Sequence, residues 1–228
     1  MRQTLVRFWS TDPGLSVLLW GLVVIVFVIR PLADVGLAGQ FVIEVGFGLV
    51  LLAGVWTVWS RRRQAMFLTV VVVLAEIVRW LSRHMPGDGL APWEALAGAV
   101  PIGILVLLVL RRVFQEGPIT RQRIEGAIAV YLLIGLMWTY IYRFLEALKP
   151  GAFQFPSGTD GTSERRFSPL LYFSFITLTT LGYGDIVPVH PAARSLAMVE
   201  ALIGQLYPAI LIARLVSLEI ASKGGQRG

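Results

Sequence analysis

The chain has 228 residues, of which 56% are hydrophobic and 15% are charged, with a net charge of +6 and no cysteine. Because its apolar residues come in long blocks, this composition excludes a soluble globular domain and predicts an integral protein of a lipid bilayer. The lack of cysteine excludes disulfides, thiolate catalysis and cysteine metal sites. The basic residues fall at the ends of the apolar blocks, so membrane orientation accounts for them and no nucleic-acid partner is expected.

Six apolar blocks follow one another along the chain, and a spanning helix needs roughly 17 to 25 such residues. The blocks are Pro13–Arg30, Phe41–Trp59, Met66–Leu81, Trp93–Leu110, Ile124–Leu148 and Ala192–Ser217. The first and third are on the short side. The first block also allows a second interpretation as a signal peptide, because Arg2 and Arg7 precede it and Gly36-Leu-Ala38 is a passable cleavage site. The distance from the apolar run to that cleavage site is long, and Arg30 and Pro31 interrupt it. A helix that is retained in the mature protein is therefore preferred.

Basic residues are more numerous on one side of this six-helix arrangement. The richer side holds eleven of them: Arg2, Arg7, Arg61, Arg62, Arg63, Arg111, Arg112, Arg121, Arg123, Lys223 and Arg227. The other side holds five: Arg30, Arg83, Lys149, Arg165 and Arg166. Because the richer side of a membrane protein is usually cytoplasmic, both termini are predicted to be cytoplasmic, in the inner or plasma membrane.

Several ionisable residues lie inside the predicted helices. Glu76 with Arg79, and Arg143 with Glu146, are spaced i, i+3, so each pair is expected to meet on one helix face and to neutralise itself. Glu200 has no basic residue one turn away. An acid inside a membrane helix is a functional candidate by default.

The stretch Thr177–Asp185 lies between the last two blocks and carries two glycines one residue apart. Gly182 and Gly184 permit left-handed dihedrals that other residues disfavour, so consecutive carbonyls can turn toward one side. Several copies around one axis would form stacked oxygen rings able to replace the water shell of a cation. Before this stretch, Ser168 and Pro169 are typical of the start of a short helix. The negative end of that helix would point toward the ion and favour a cation there.

The order Thr180-Leu-Gly-Tyr-Gly-Asp185 resembles the selectivity filter of potassium channels. The resemblance implies K+ sites formed by the carbonyls of Thr180, Leu181, Gly182 and Tyr183 and by the Thr180 hydroxyl. It also implies that Gly184 completes the filter and that Asp185 lies at its outer mouth. The permeant K+ ion is the expected ligand, with no organic cofactor and no catalytic residue.

The same resemblance assigns filter-supporting roles to the neighbouring residues Tyr172, Phe173 and Thr179, and Tyr172 is expected to hydrogen-bond Asp185. Glu200, as an acid inside a membrane helix, is also expected to support the filter, by bonding the back of the pore helix and tuning conduction. The chain departs from the commonest family pattern at three positions. Leu181 replaces valine or isoleucine, Phe173 replaces a tryptophan that donates to the filter tyrosine, and Ile176 is apolar where some members carry a buried glutamate.

The last block is expected to contain the moving parts of a channel. Gly204 aligns with a glycine that serves as a bending point in related channels, and Pro208 favours a kink four residues later. Close helix packing is an equally good explanation for Gly204. By the same alignment Gln205, Pro208, Ile212 and Val216 face the pore axis, with Gln205 lining a cavity and Ile212 or Val216 narrowing it.

The resemblance implies an all-α transmembrane fold with six membrane-spanning helices plus a re-entrant pore helix and selectivity filter, assembled as a homotetramer because each chain supplies one filter strand. Residues 1–123 would form a four-helix membrane domain, residues 124–221 the pore domain, and residues 222–228 a cytoplasmic tail. The alternatives are the pore subunit of a potassium uptake system and a weakly selective cation channel. Only a basic tail is expected after Ser217, so opening is expected to be constitutive or to be set by the filter, lipid, pH or a separate regulatory chain.

The first four helices resemble in number the voltage sensor of six-helix channels. A sensor helix carries arginines at every third position through the membrane. The stretch Ala97–Leu110 has none, and Arg111 and Arg112 lie only at its end. Little intrinsic voltage dependence of opening is therefore expected.

Overall fold

The computed structural model describes residues 13–35, 40–58, 62–84, 89–115, 120–156 and 167–224. Part of the evidence for orientation lies outside these residues, as does the alternative cleavage site at Gly36–Ala38. The basic residues concerned are Arg2, Arg7, Arg61, Arg165, Arg166 and Arg227.

Helices account for nearly all of the described chain. They are α1 Pro13–Val24, which continues through a π-helical segment Ile25–Ile29 into α2 Arg30–Asp34, then α3 Gln40–Val58, α4 Arg62–His84, α5 Ala91–Val113, α6 Arg121–Leu148, α7 Phe167–Leu178 and α8 Pro191–Gly224. Two short strands, β1 Phe153–Gln154 and β2 Val187–Pro188, pair antiparallel with Phe153 opposite Pro188. The predicted all-α class is confirmed, and the strand pair is an addition to it.

Five segments of the described chain are long and apolar enough to cross a membrane. They are Gly14–Ala33, Arg63–Ser82, Ala91–Val113, Arg121–Leu148 and Pro191–Ser217. Two shorter apolar helical segments, Gly46–Val55 and Phe167–Leu178, accompany them. The chain is therefore an all-helical membrane protein with at least these five candidate spans.

The described residues divide into two compact units. The first takes in residues within Met1–Ala65, Leu105–Leu132 and Leu206–Gly228. Its helices approach closely at glycines: a Cβ at Gly54 would overlap the Leu105 side chain. The Arg121 guanidinium donates to Glu125 at 2.9 Å, and the Ser16 hydroxyl donates to the same carboxylate.

The second unit takes in Met66–Ile104 and Leu133–Gln205 and contains the filter-like stretch. Within it, Arg79 and Glu76 form the predicted i, i+3 ion pair at 3.1 Å. The expected pairing of Arg143 with Glu146 is wrong. Arg143 instead meets Glu94 of α5 at 3.5 Å, and its guanidinium lies 5.4 Å from the ring centre of Phe167.

Candidate functional site

The short helix α7 positions the filter-like stretch. It begins at Phe167, one residue before the predicted Ser168, and ends at Leu178. Most of its side chains are apolar and buried, so the helix is held in place by packing on several faces. The aligned peptide dipoles of the helix give its Leu178 end a partial negative charge. The chain enters the filter directly from that negative end.

The backbone of the filter alternates between two conformations. The φ angles of Thr180, Gly182 and Gly184 are 60°, 54° and 79°, whereas Leu181 and Tyr183 have no positive φ. The predicted left-handed dihedrals at both glycines are confirmed. The left-handed conformation of Thr180 was not expected, because this conformation costs a residue with a Cβ roughly 1–2 kcal/mol. Such strain is concentrated at functional sites, where the surrounding structure over-determines the backbone.

Two consecutive amides fix the direction of the first filter carbonyls. The N–H groups of Leu181 and Gly182 both donate to the carbonyl oxygen of Ile176, at 2.8 and 3.2 Å. No peptide bond of the described chain is cis. In a trans peptide the carbonyl points opposite to the N–H of the next residue. The carbonyls of Thr180 and Leu181 therefore both point away from α7, whereas in an extended strand they would alternate.

The filter lies at the surface of the single chain. The side chains of Leu181 and Tyr183 are 59% and 68% exposed, although both are large and mostly apolar. Thr179, just before them, donates its hydroxyl to the Phe175 carbonyl at 2.7 Å. The filter is thus bound to the chain on its α7 side and open on the other.

Asp185 follows the filter and is exposed. The Tyr172 hydroxyl, in the middle of α7, donates a hydrogen bond to its carboxylate at the end of the filter. Desolvation of the phenol, followed by this hydrogen bond and the carboxylate charge, raises the pKa of Tyr172 above its ordinary value. Tyr172 therefore stays a neutral donor as the pH rises past the usual range of a tyrosine.

The segment after α6 is fixed by a buried carboxylate. Glu146 accepts the backbone N–H groups of Gly151 at 3.0 Å and Phe153 at 3.2 Å. Ala152 lies between them, and its carbonyl accepts the N–H of Val189 at 2.9 Å. Because the paired strands β1 and β2 begin at this point, Glu146 ties the chain before α7 to the chain after the filter.

Glu200 lies behind α7, on α8, and is fully buried. The Ser174 hydroxyl of α7 lies 2.6 Å from one of its carboxyl oxygens, and the Tyr142 hydroxyl of α6 is hydrogen-bonded to the other. Ser174 also lies 2.7 Å from the carbonyl oxygen of Gly135. The structure thus brings Glu200 to the back of the helix that was expected to meet it, and its role in conduction stays a prediction.

Phe173 belongs to a cluster of three aromatic rings. Its ring centre lies 5.2 Å from that of Tyr142 and 5.3 Å from that of Phe153, with edge-to-face angles of 65° and 66°. Such edge-to-face pairs are favourable beyond the area they bury. In the single chain, Phe173 therefore packs against α6 and β1.

Gly204 lies against the end of α7. A Cβ at this position would stand 2.7 Å from the Leu178 carbonyl carbon and 3.0 Å from its Cα, and would overlap the carbonyl oxygen. Only glycine fits such an approach of helix to backbone. Of the two explanations for Gly204, the structure supplies direct evidence for close packing.

The other residues assigned to the last helix follow Gly204 on α8, which continues through Pro208 to Gly224. Gln205, Ile212 and Val216 are exposed in the single chain, and Pro208 is half-buried. Their expected place along a pore axis stays a prediction.

Sequence reasoning missed four contributors to this site: Tyr142, Ser174, the carbonyl of Ile176 and the carbonyl of Leu178. Tyr142 and Ser174 stand 58 and 26 residues from Glu200 in the chain. The two carbonyls belong to the backbone and have no sequence signature. The one available signal was a polar side chain inside an apolar helix, which Tyr142 and Ser174 both show.

In the described chain, a short apolar helix and the filter-like stretch lie between two candidate membrane spans, α6 and α8. A family model described as ion channel matches residues 127–220, which include α7, the filter and most of α8. The chain is also similar to Protein LctB of Bacillus caldotenax, with 31% identity over 124 residues that make up 53% of this chain and 90% of that protein. Protein LctB of Geobacillus stearothermophilus is 36% identical over 86 residues, 37% of this chain and 62% of that protein.

A short part of the chain is also similar to a plant channel. Two pore potassium channel c of Oryza sativa subsp. japonica is 47% identical over 47 residues, which are 21% of this chain and 10% of the rice protein. No solved structure matches the chain significantly. From the match to Protein LctB of Bacillus caldotenax and the match to the ion channel model, the chain belongs to an ion channel family. It is an integral membrane ion channel and not an enzyme.

Proposed function

We propose that the protein is a potassium-selective channel that conducts K+ passively, down its electrochemical gradient. The observation that carries the proposal is the shared acceptor of two amides: Leu181 and Gly182 both donate to Ile176. It turns successive carbonyls to the open side of the filter, where oxygens can replace the hydration shell of an ion. The sites would be formed by the carbonyls of Thr180 to Tyr183 and by the Thr180 hydroxyl.

The test is reconstitution of the full chain in planar bilayers with asymmetric K+ and Na+. A reversal potential close to the K+ equilibrium value, with block by barium, supports potassium selectivity. A reversal potential midway between the equilibrium potentials of K+ and Na+ would favour the alternative of a weakly selective cation channel. Current that requires a second protein would favour the other alternative, the pore subunit of a potassium uptake system.

A matched pair of glycine substitutions distinguishes an effect specific to the filter from a general effect of backbone strain. Gly182 and Gly151 have φ angles of +54° and +84°, and in each case nothing lies within 4 Å of an added Cβ. Gly182→Ala and Gly151→Ala therefore impose a similar left-handed strain, roughly 1–2 kcal/mol, at two places. Selectivity should be degraded or lost only in Gly182→Ala. Full preference for K+ over Na+ in that variant would contradict the proposal.

The proposal includes a symmetric homotetramer, because this chain supplies one filter strand and a ring of oxygens needs several. The exposure of Leu181 and Tyr183 supports it, since neighbouring copies would cover both side chains. Single-particle images of the purified protein in lipid should show fourfold symmetry. A monomeric or twofold particle would be incompatible with the ring.

Six spanning helices, with both termini in the cytoplasm of an inner or plasma membrane, are also part of the proposal. The span added to the five candidates is α3, the second along the chain. Its 19 residues are about 28 Å long at 1.5 Å per residue. Since the chain has no cysteine, single introduced cysteines report sidedness directly. Gln115→Cys should react from the cytoplasmic side and Gln154→Cys from the opposite side. Labelling of both from one side would overturn this topology.

Weak voltage dependence follows from the charge pattern of α5. Its basic residues, Arg111 and Arg112, lie in the last turn. Arginines that cross the field are needed to supply the work of steep voltage gating. Currents of the purified channel should therefore change little in open probability with voltage, and steep activation on depolarisation would refute this.

A further inference from the structure

Three close oxygen contacts link Glu200 of α8 to its neighbours on α6 and α7: two are made by Glu200 itself and the third by Ser174. The Ser174 hydroxyl oxygen of α7 lies 2.6 Å from one carboxyl oxygen of Glu200 and 2.7 Å from the carbonyl oxygen of Gly135 on α6. The Tyr142 hydroxyl of α6 is hydrogen-bonded to the other carboxyl oxygen. Each pair of oxygens at such a distance holds a proton between them, because two lone pairs facing each other would repel.

The protons for these three contacts can be counted. Tyr142 supplies one hydrogen, Ser174 supplies one, and the peptide carbonyl of Gly135 supplies none. Three contacts need three protons. The third therefore belongs to the carboxyl group of Glu200, which donates to Ser174 while Ser174 donates to Gly135.

The surroundings of Glu200 agree with this count. The residue is fully buried, and no lysine or arginine of the described chain forms an ion pair with it. Tyr142, from α6, is the titratable side chain that meets it there, and Ser174, from α7, is neutral. Burying an unpaired carboxylate is costly, and a neutral acid with all its hydrogen bonds made avoids that cost.

Glu146, the other buried glutamate of this unit, provides a contrast. Both of its oxygens face backbone N–H groups, those of Gly151 and Phe153. An amide hydrogen cannot turn away from its acceptor, so this side chain must accept on both oxygens. Neither oxygen of Glu146 has to donate a proton to its neighbours.

We propose that Glu200 is a neutral, protonated positioning residue that joins the last helix to the pore helix by donating a hydrogen bond to Ser174. Removing this proton would leave two oxygens 2.6 Å apart with a negative charge and one hydrogen too few for the three contacts. Ser174 and Glu200 would then separate, and α7 would lose its support from α8. The consequence for conduction rests on the proposed channel function: current should fall as the pH rises and Glu200 loses its proton.

The test of the proton itself is infrared spectroscopy of the full chain in lipid vesicles at neutral pH. A protonated carboxyl group gives a C=O stretch that a carboxylate lacks. This band should be present in the native protein, absent from Glu200→Gln and unchanged in Glu146→Gln. Ser174→Ala should shift the band without removing it, because the acid loses its acceptor.

A band that survives Glu200→Gln, or a native protein without one, would overturn the proposal. If Glu200→Gln does not fold, Ser174→Ala decides alone: a shifted band supports the assignment and an unshifted band refutes it. The spectrum reports a proton and not a current, so it is unaffected if the channel proves to be weakly selective.

The regulatory part is tested by pH profiles of the current in bilayers. Glutamine offers Ser174 an N–H donor and Tyr142 a carbonyl acceptor, as the protonated acid does. Native channels should therefore lose current at alkaline pH, and Glu200→Gln should not show this loss. Superimposable profiles of the two proteins would refute the regulatory role while leaving the infrared result intact.

Discussion

Gly204→Ala is the substitution whose effect the structure defines most sharply. The added methyl carbon would stand 2.7 Å from the carbonyl carbon of Leu178 and overlap its oxygen. The obstacle is backbone at the end of a buried helix, which has no alternative rotamer to adopt. Either α7 or α8 must shift.

The size of the effect follows from two opposing contributions. Overpacking typically costs about 1–3 kcal/mol, and a rigid backbone neighbour puts this case toward the upper end. Replacing glycine by alanine within a helix returns roughly 0.5–1 kcal/mol. The net loss in the free energy of unfolding is about 1–2 kcal/mol. At about 2–4 °C per kcal/mol for a chain of this size, the melting temperature should fall by roughly 2–8 °C.

Gly48→Ala is the matched control. Gly48 also lies in a helix, α3, and nothing lies within 4 Å of a Cβ added there. This variant should be unchanged or slightly more stable, because only the helix propensity changes. Thermal unfolding of both variants in the same detergent or nanodisc measures the difference.

The same pair of variants separates packing from bending. If Gly204 serves only as a flexible point, alanine should alter the open probability and leave the melting temperature near that of Gly48→Ala. Equal melting temperatures would therefore refute the packing argument. A lower melting temperature for Gly204→Ala would support it, whatever the effect on opening.

Three further predictions concern the filter and its supports. Truncating Glu146 to alanine leaves the buried Phe153 amide without its acceptor, at a cost of about 1–3 kcal/mol, and also frees the amide of the exposed Gly151, so it should lower the melting temperature more than Glu146→Gln does. Tyr172→Phe should remove the hydrogen bond to Asp185 and shorten channel openings in single-channel records; unchanged openings would argue against a supporting role. Because the pKa of Tyr172 is raised, its hydrogen bond to Asp185 is fully present at pH values below the ordinary pKa of tyrosine. The bond is lost only when the pH rises through the higher pKa of Tyr172 in the folded protein. A difference absorption titration of native protein against Tyr172→Phe should therefore show this phenol ionising later than a free tyrosine.

Much of the architecture could be read from the order of residues, because it depends on local properties. Lengths of apolar sequence define the candidate spans, and serine followed by proline marks the start of the pore helix within one residue. The glycines at 182 and 184 predict left-handed dihedrals because no other residue adopts them without strain. The filter motif also identified the family.

The supports of the filter could not be read in this way, since they join groups far apart in the chain. Arg143 illustrates the limit. Spacing alone paired it with Glu146, whereas the fold supplies Glu94 from another helix and gives Glu146 two backbone amides. Sequence spacing predicts which residues share one helix face, and it does not predict which residues of other helices pack against that face.

The choice between bending and packing at Gly204 shows the same division. Sequence determined that a glycine stands there, and both explanations follow from its lack of a side chain. Only the tertiary structure brings the Leu178 carbonyl to that position, and only it assembles Tyr142, Ser174 and Glu200 around shared protons. Motifs within a few residues are set by local chemistry, whereas hydrogen-bond partners of buried groups depend on which helices the fold places side by side.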